Sequence, residues 1–163
     1  MRKTLAVVGL VFAVTSIASA QTKISGSGRC AKPEVQHSIQ VPDRPGHVFS
    51  ISQLKCTWSK PWEIAGVQSK EGVGTVFDEV TGDSAVSQEF YVDTMANGDK
   101  AFYRYNAKAA LKVNAFQTGE GKWTLVGGTG KLKAINGKGT CKSKGEADGS
   151  LAFECEGEYR LPK

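Results

Sequence analysis

Leu151-Ala152-Phe153-Glu154-Cys155-Glu156-Gly157-Glu158-Tyr159-Arg160-Leu161 alternates along nearly its whole length. Leu151, Phe153, Cys155, Tyr159 and Leu161 share one parity, and Ser150, Glu154, Glu156, Glu158 and Arg160 share the other. That is the period of a β-strand with one face on a core and one in water. Just upstream, Ala147-Asp148-Gly149 fits a three-residue hairpin loop with Gly149 in the left-handed position. The loop folds 138–144 back on this strand and sets Cys141 opposite Cys155. Lys142 then faces Glu154 and Lys138 faces Glu158, so two opposite-charge pairs agree with the cysteine match.

The same period recurs upstream, and no long helical pattern follows residue 20. Val35, His37, Ile39 and Val41 alternate with Gln36, Ser38 and Gln40. Between Phe49 and Trp58 the phase changes, which predicts a β-bulge near Ser52-Gln53. Asn97-Gly98 between two β-rich runs predicts a two-residue type I′ turn. That turn pairs Met95 with Lys100, Asp93 with Phe102 and Tyr91 with Arg104. It puts Phe90, Val92, Thr94, Tyr103 and Tyr105 on one face, and Tyr91, Asp93, Phe102 and Arg104 on the other. Further strands are expected around 72–80, 107–116 and 122–126. Short strands with regular turns read as a sandwich or a closed barrel.

The chain has 163 residues, 21 Lys+Arg and 16 Asp+Glu. Met1-Arg2-Lys3, the apolar run Leu5–Ile17 and Ala18-Ser19-Ala20 form an export signal cleaved after Ala20. The apolar run is shorter than the ~20 residues that span a bilayer. Residues 1–20 are thus expected to be a signal peptide and 21–163 a single domain, periplasmic or secreted from a bacterium. Removing Arg2 and Lys3 lowers the net charge from +5 to +3. The basic residues are scattered, without stacking aromatics, and do not predict nucleic-acid binding.

Cys30, Cys56, Cys141 and Cys155 all lie beyond the signal, where an even cysteine count suggests disulfides. The midpoint of Cys30 and Cys56 falls in the turn Pro42-Asp43-Arg44-Pro45-Gly46, provided Pro33 sits at an edge or a bulge. The favoured pairing is Cys30–Cys56 with Cys141–Cys155. A free pair, or a pair joining the chain ends, stays open.

Motifs for catalysis are sparse. Gly127-Gly128-Thr129-Gly130-Lys131-Leu132 fails as a phosphate loop, because Leu132 follows the lysine and Leu125 replaces the first glycine. His37 and His47, the only histidines, lack a third ligand, so no metal site and no cofactor are expected. Tyr91, Asp93 and Arg104 are the candidate reactive set, able to orient or protonate a small ligand at a barrel mouth. An outer-face ion pair is the plainer reading of the same residues. Phe90, Tyr103, Tyr105 and Trp123 are the expected ligand-lining residues.

The stretch Trp123-Thr124-Leu125-Val126-Gly127-Gly128-Thr129-Gly130-Lys131-Leu132-Lys133-Ala134-Ile135-Asn136-Gly137 resembles the signature of the allene oxide cyclase barrel-like group, which includes plant dirigent proteins. Asn97-Gly98-Asp99 and Gly137-Lys138-Gly139-Thr140 resemble small exported bacterial proteins of that class. The resemblance implies an all-β, antiparallel, closed eight-stranded barrel that binds apolar small molecules. In this motif the glycines bend the chain after the strand, and Leu132 and Ile135 plug the barrel end.

Three functional expectations follow. The first is a non-enzymatic barrel holding one small hydrophobic ligand. The second is a cyclase, isomerase or dirigent-like stereochemical guide, which requires a polar group facing inward beside the aromatics. The third is a structural, envelope-associated protein. A homo-oligomer is left open.

Overall fold

The computed structural model describes residues 21–113 and 115–161. The signal reading, on residues 1–20, lies outside them. The described chain forms β1 (Thr22–Cys30), β2 (Val35–Gln40), β3 (His47–Lys60), β4 (Glu63–Ile64), β5 (Val67–Thr81), β6 (Ser84–Met95), β7 (Lys100–Lys112), β8 (Ala115–Gly128), β9 (Asn136–Gly145) and β10 (Leu151–Arg160). A single 3₁₀ turn, Gly130–Leu132, interrupts them. No helix among the described residues is long and apolar enough to cross a membrane.

The sheet runs β2-β3-β1-β10-β9-β8-β7-β6-β5-β4, and a β3–β5 pairing closes it into an antiparallel eight-stranded barrel. β3 makes the closure because it is long. One edge holds β5 from His47 to Thr57. The other edge holds β2 along Val48–Gln53 and then β1 along Cys56–Lys60. β2 therefore continues the line of β1 past Ala31–Glu34, with the Ala31 N–H bonded to the Lys55 carbonyl at 2.9 Å. Pro33 sits in that break, where its missing N–H costs no ladder bond.

The C-terminal hairpin has the expected register, with Cys155 opposite Cys141, Glu154 opposite Lys142 and Glu158 opposite Lys138. Gly149 turns it at φ 82°. The disulfides are Cys30–Cys56 and Cys141–Cys155, bonds that belong with an oxidising compartment.

Two local expectations are corrected. The 97–98 turn is a three-residue loop: the Met95 N–H bonds the Asp99 carbonyl at 2.8 Å, and Gly98 is left-handed at φ 86°. The extra residue moves the register by one, so Asp93 faces Ala101, Val92 faces Phe102, Tyr91 faces Tyr103 and Phe90 faces Arg104. A one-residue slip exchanges the faces of a whole strand. No bulge occurs at Ser52-Gln53, since β3 pairs with β5 in unbroken register from His47 to Thr57. Instead Phe49 and Ile51 point outward, while Ser50 (6% exposed), Ser52 (8%) and Cys56 (2%) point inward.

The barrel thus has two halves. The closed half is packed with Ile24, Trp62, Ile64, Met95, Tyr103, Trp123, Leu125 and Tyr159, and Leu132 and Ile135 plug it. The loop around Trp62 covers the same end, tied by the Ala65 N–H to the Tyr159 hydroxyl at 3.0 Å. Between these caps lies a crevice of about 10 Å³, lined by Ile64, Met95, Asp99 and Leu132 among others, room for one water. In the open half the usual pattern is inverted. Ser50, Ser52, Asp78, Ser87 and Glu89 face the lumen, and Ile51, Phe77, Val86 and Phe90 are exposed outside.

Candidate functional site: the lumen of the barrel

The inner face of β6 carries Ser87, Glu89, Tyr91, Asp93 and Met95 in sequence, from the open mouth to the packed end. β5 supplies glycines opposite them. A Cβ at Gly72 would overlap the Tyr91 hydroxyl, and one at Gly74 would overlap the Glu89 carboxylate. Large polar side chains can therefore lie across the β5 backbone.

Asp93 is the deepest of these groups, at 0% exposure. Its Oδ1 accepts the indole N–H of Trp58 at 3.1 Å. Its Oδ2 accepts the indole N–H of Trp62 at 3.0 Å and the Ser69 hydroxyl at 2.5 Å. Burial raises the Asp93 carboxyl, and the bonds from Ser69, Trp62 and Trp58 partly offset the rise. Asp93 thereby fixes two tryptophans, whose rings lie 4.6 Å apart. Trp62 also stacks on Tyr103 at 5.5 Å, and Tyr103 meets Trp123 edge-on at 5.7 Å. Tyr91 lies 6.1 Å from Tyr103, and Phe153 lies 5.2 Å from Trp58.

Three polar atoms in this aromatic cluster have no hydrogen bond among the described residues: the Tyr91 and Tyr103 hydroxyls and the Trp123 indole nitrogen. Such groups are satisfied in the large majority of cases when buried. Burial raises both phenols, with the negative charge of Asp93 adding to it.

Toward the mouth, Glu89 is pushed up to about 7, first by burial and then by Asp78. Asp78 is also raised by burial, partly offset by the Ser87 and Ser50 hydroxyls. Tyr105, half-buried, donates to the Cys141 carbonyl at 3.3 Å, and burial pushes its phenol up to about 12. Every Lys and Arg among the described residues is exposed.

Of the expected reactive set, Tyr91 and Asp93 face the lumen, whereas Arg104 is exposed on the outer face beside Phe90. Of the expected lining residues, Tyr103, Tyr105 and Trp123 face inward. Phe90 does not: it is 42% exposed and stacks outside on Phe102. His47 is held between Asp43 at 2.6 Å and Glu79 at 3.2 Å, on the outer side near Phe49, while His37 is exposed. No group of three or more His, Cys, Asp or Glu among the described residues is placed to hold a metal ion.

The sequence reading missed Trp58 and Trp62 as partners of Asp93, and Glu89 and Asp78 as lumen carboxylates. For Glu89 the signal was the parity it shares with Ser87, Tyr91, Asp93 and Met95, legible once Met95 is known to be buried. Comparison with protein-family models and with curated proteins finds no match for the chain.

Proposed function

We propose that this chain is an exported barrel of the allene oxide cyclase barrel-like kind that binds one small molecule with an apolar body in its lumen. The observation that carries the reading is the unpaired set of Tyr91, Tyr103 and Trp123 donors within an aromatic-walled interior. An oxygen acceptor on a ligand satisfies such donors, and the rings supply contact area, the usual division of labour in a small-molecule site. The half-exposed inward residues Leu54, Tyr105, Leu111, Phe116 and Phe153 give the ligand an entrance at the mouth. The test is a thermal-shift and tryptophan-emission screen against medium-chain alcohols and ketones. A saturable response is expected, weakened about three- to tenfold by Tyr103→Phe, the loss of one hydrogen bond. No response to any compound overturns the reading.

A second reading, an isomerase or stereochemical guide, is favoured by the inward placement of Asp93 and Tyr91 beside Trp58 and Trp62. It requires turnover, or an altered product enantiomer ratio, with an epoxide-bearing oxylipin, abolished by Tyr91→Phe. Unchanged product ratios remove it.

A further inference from the structure

The lumen is charged on one sign alone. Asp78, Glu89 and Asp93 all face inward from β5 and β6, while every Lys and Arg among the described residues is exposed. Asp93 is satisfied by three donors. Asp78 accepts the Ser87 hydroxyl at 2.5 Å. Glu89, deeper than Asp78 in the lumen and partly exposed there, has neither a hydrogen bond nor a cation among the described residues. A carboxylate drawn partly out of water without a partner is costly, and proteins otherwise pair or coordinate such groups.

A separate observation concerns the same lumen. Tyr103, 2% exposed, has a hydroxyl without a partner among the described residues, and so does Tyr91, whose phenol lies within the fields of both Asp93 and Glu89. Tyr91 and Tyr105 flank Glu89, on β6 and on the facing position of β7. Aromatic faces beside carboxylates are the chemistry that recognises an organic ammonium. A bare metal ion fits less well, because no three candidate ligands come together among the described residues.

We propose that the lumen ligand is an organic cation, an amine whose apolar body also carries an oxygen acceptor for the deeper donors, and whose ammonium sits at Glu89 and Asp78 between Tyr91 and Tyr105. The inference rests on the ligand-binding reading above and names its ligand class.

The experiment is calorimetric titration of the full mature chain at pH 8 with octylamine, 1-octanol, octanoate and calcium. An alkylamine is protonated there, as a lysine is. Octylamine is expected to bind at least about tenfold more tightly than octanol, as for a charge-assisted hydrogen bond, and octanoate not at all. Glu89→Gln, an isosteric change, should bring octylamine and octanol within about threefold of each other, while octanol affinity holds. Asp78→Asn should narrow the gap in the same direction, and circular dichroism checks that both variants are folded. Octanol or octanoate binding as tightly as octylamine overturns the amine assignment and leaves the ligand-binding reading standing. So does an undiminished amine preference in both folded variants, or a response to calcium in place of the amine. Silence from all of these probes, with a null alcohol and ketone screen, removes the ligand-binding reading itself.

Discussion

Glu89→Gln should make the free protein more stable at neutral and alkaline pH and leave it unchanged in acid. In the folded chain Glu89 ionises at about 7, against an ordinary 4.5. Below pH 4.5 the group is protonated in both the folded and unfolded states, so it costs nothing. Between 4.5 and about 7 the unfolded chain ionises while the folded chain keeps its proton, and stability falls as pH rises. Above about 7 the whole penalty is present. A rise of this size corresponds to about 3 kcal/mol at 1.36 kcal/mol per unit. Partial solvent access at the mouth and the shared field of Asp78 reduce the figure to about 1–3 kcal/mol. Urea denaturation of both proteins at pH 4 and pH 8 isolates the contribution, because every other titrating group is common to the pair. The curves should coincide at pH 4, and the Glu89→Gln variant should gain about 1–3 kcal/mol at pH 8. Equal stability at both values, or a less stable variant at pH 8, refutes the claim that this half-buried carboxylate is without a partner.

Other outcomes follow from the same geometry. Asp93→Ala strands two indole N–H groups and the Ser69 hydroxyl and should cost at least about 2 kcal/mol in urea denaturation. Asp93→Asn keeps an acceptor there and should cost less. Trp123 lies over Gly139 and Gly157, where an added Cβ would overlap its ring, so Gly139→Ala should destabilise by about 1–3 kcal/mol or more. Non-reducing peptide mapping should recover Cys30 joined to Cys56 and Cys141 joined to Cys155. Serine at both Cys141 and Cys155 should cost at most about 3 kcal/mol by loop entropy.

Much of the barrel is legible in the sequence where the ordinary pattern holds. β10 shows its period openly, and the 147–149 loop, two charge pairs and two cysteines all agree on one register. Leu132 and Ile135 read correctly as the plug, because glycines before them and apolar residues at that spacing leave few other uses. The open half is misread for a physical reason. Ser50, Ser52, Asp78 and Glu89 look like solvent-facing residues, and Phe49, Ile51, Phe77 and Phe90 look like core. A barrel with a polar lumen reverses that assignment, and alternation gives the period without the sign. The phase change in β3 follows from this reversal and not from a bulge. The Asn97-Gly98 pair compounds the error, since the same dipeptide serves two-residue and three-residue loops. Choosing the shorter loop slips the register by one and turns Asp93 and Tyr91 outward. A buried Met95 beside that loop, at 1% exposure, is the single placement that decides between them.

The central claim, a lumen whose unpaired donors receive a ligand, is tested most directly at the tryptophan indole groups. The chain has three tryptophans, so a ¹⁵N-labelled sample gives three indole N–H signals to follow by NMR. Trp58 and Trp62 are bonded to Asp93, whereas the Trp123 nitrogen has no partner among the described residues. Titration with 1-octanol, whose hydroxyl can accept from these donors, should move the Trp123 signal and the backbone amides of Tyr91 and Tyr103 in a saturable way, leaving those around Lys142 and Glu154 on the outer face unmoved. A Trp123 signal that stays fixed while outer-face amides shift, or no shift at any residue, contradicts the account.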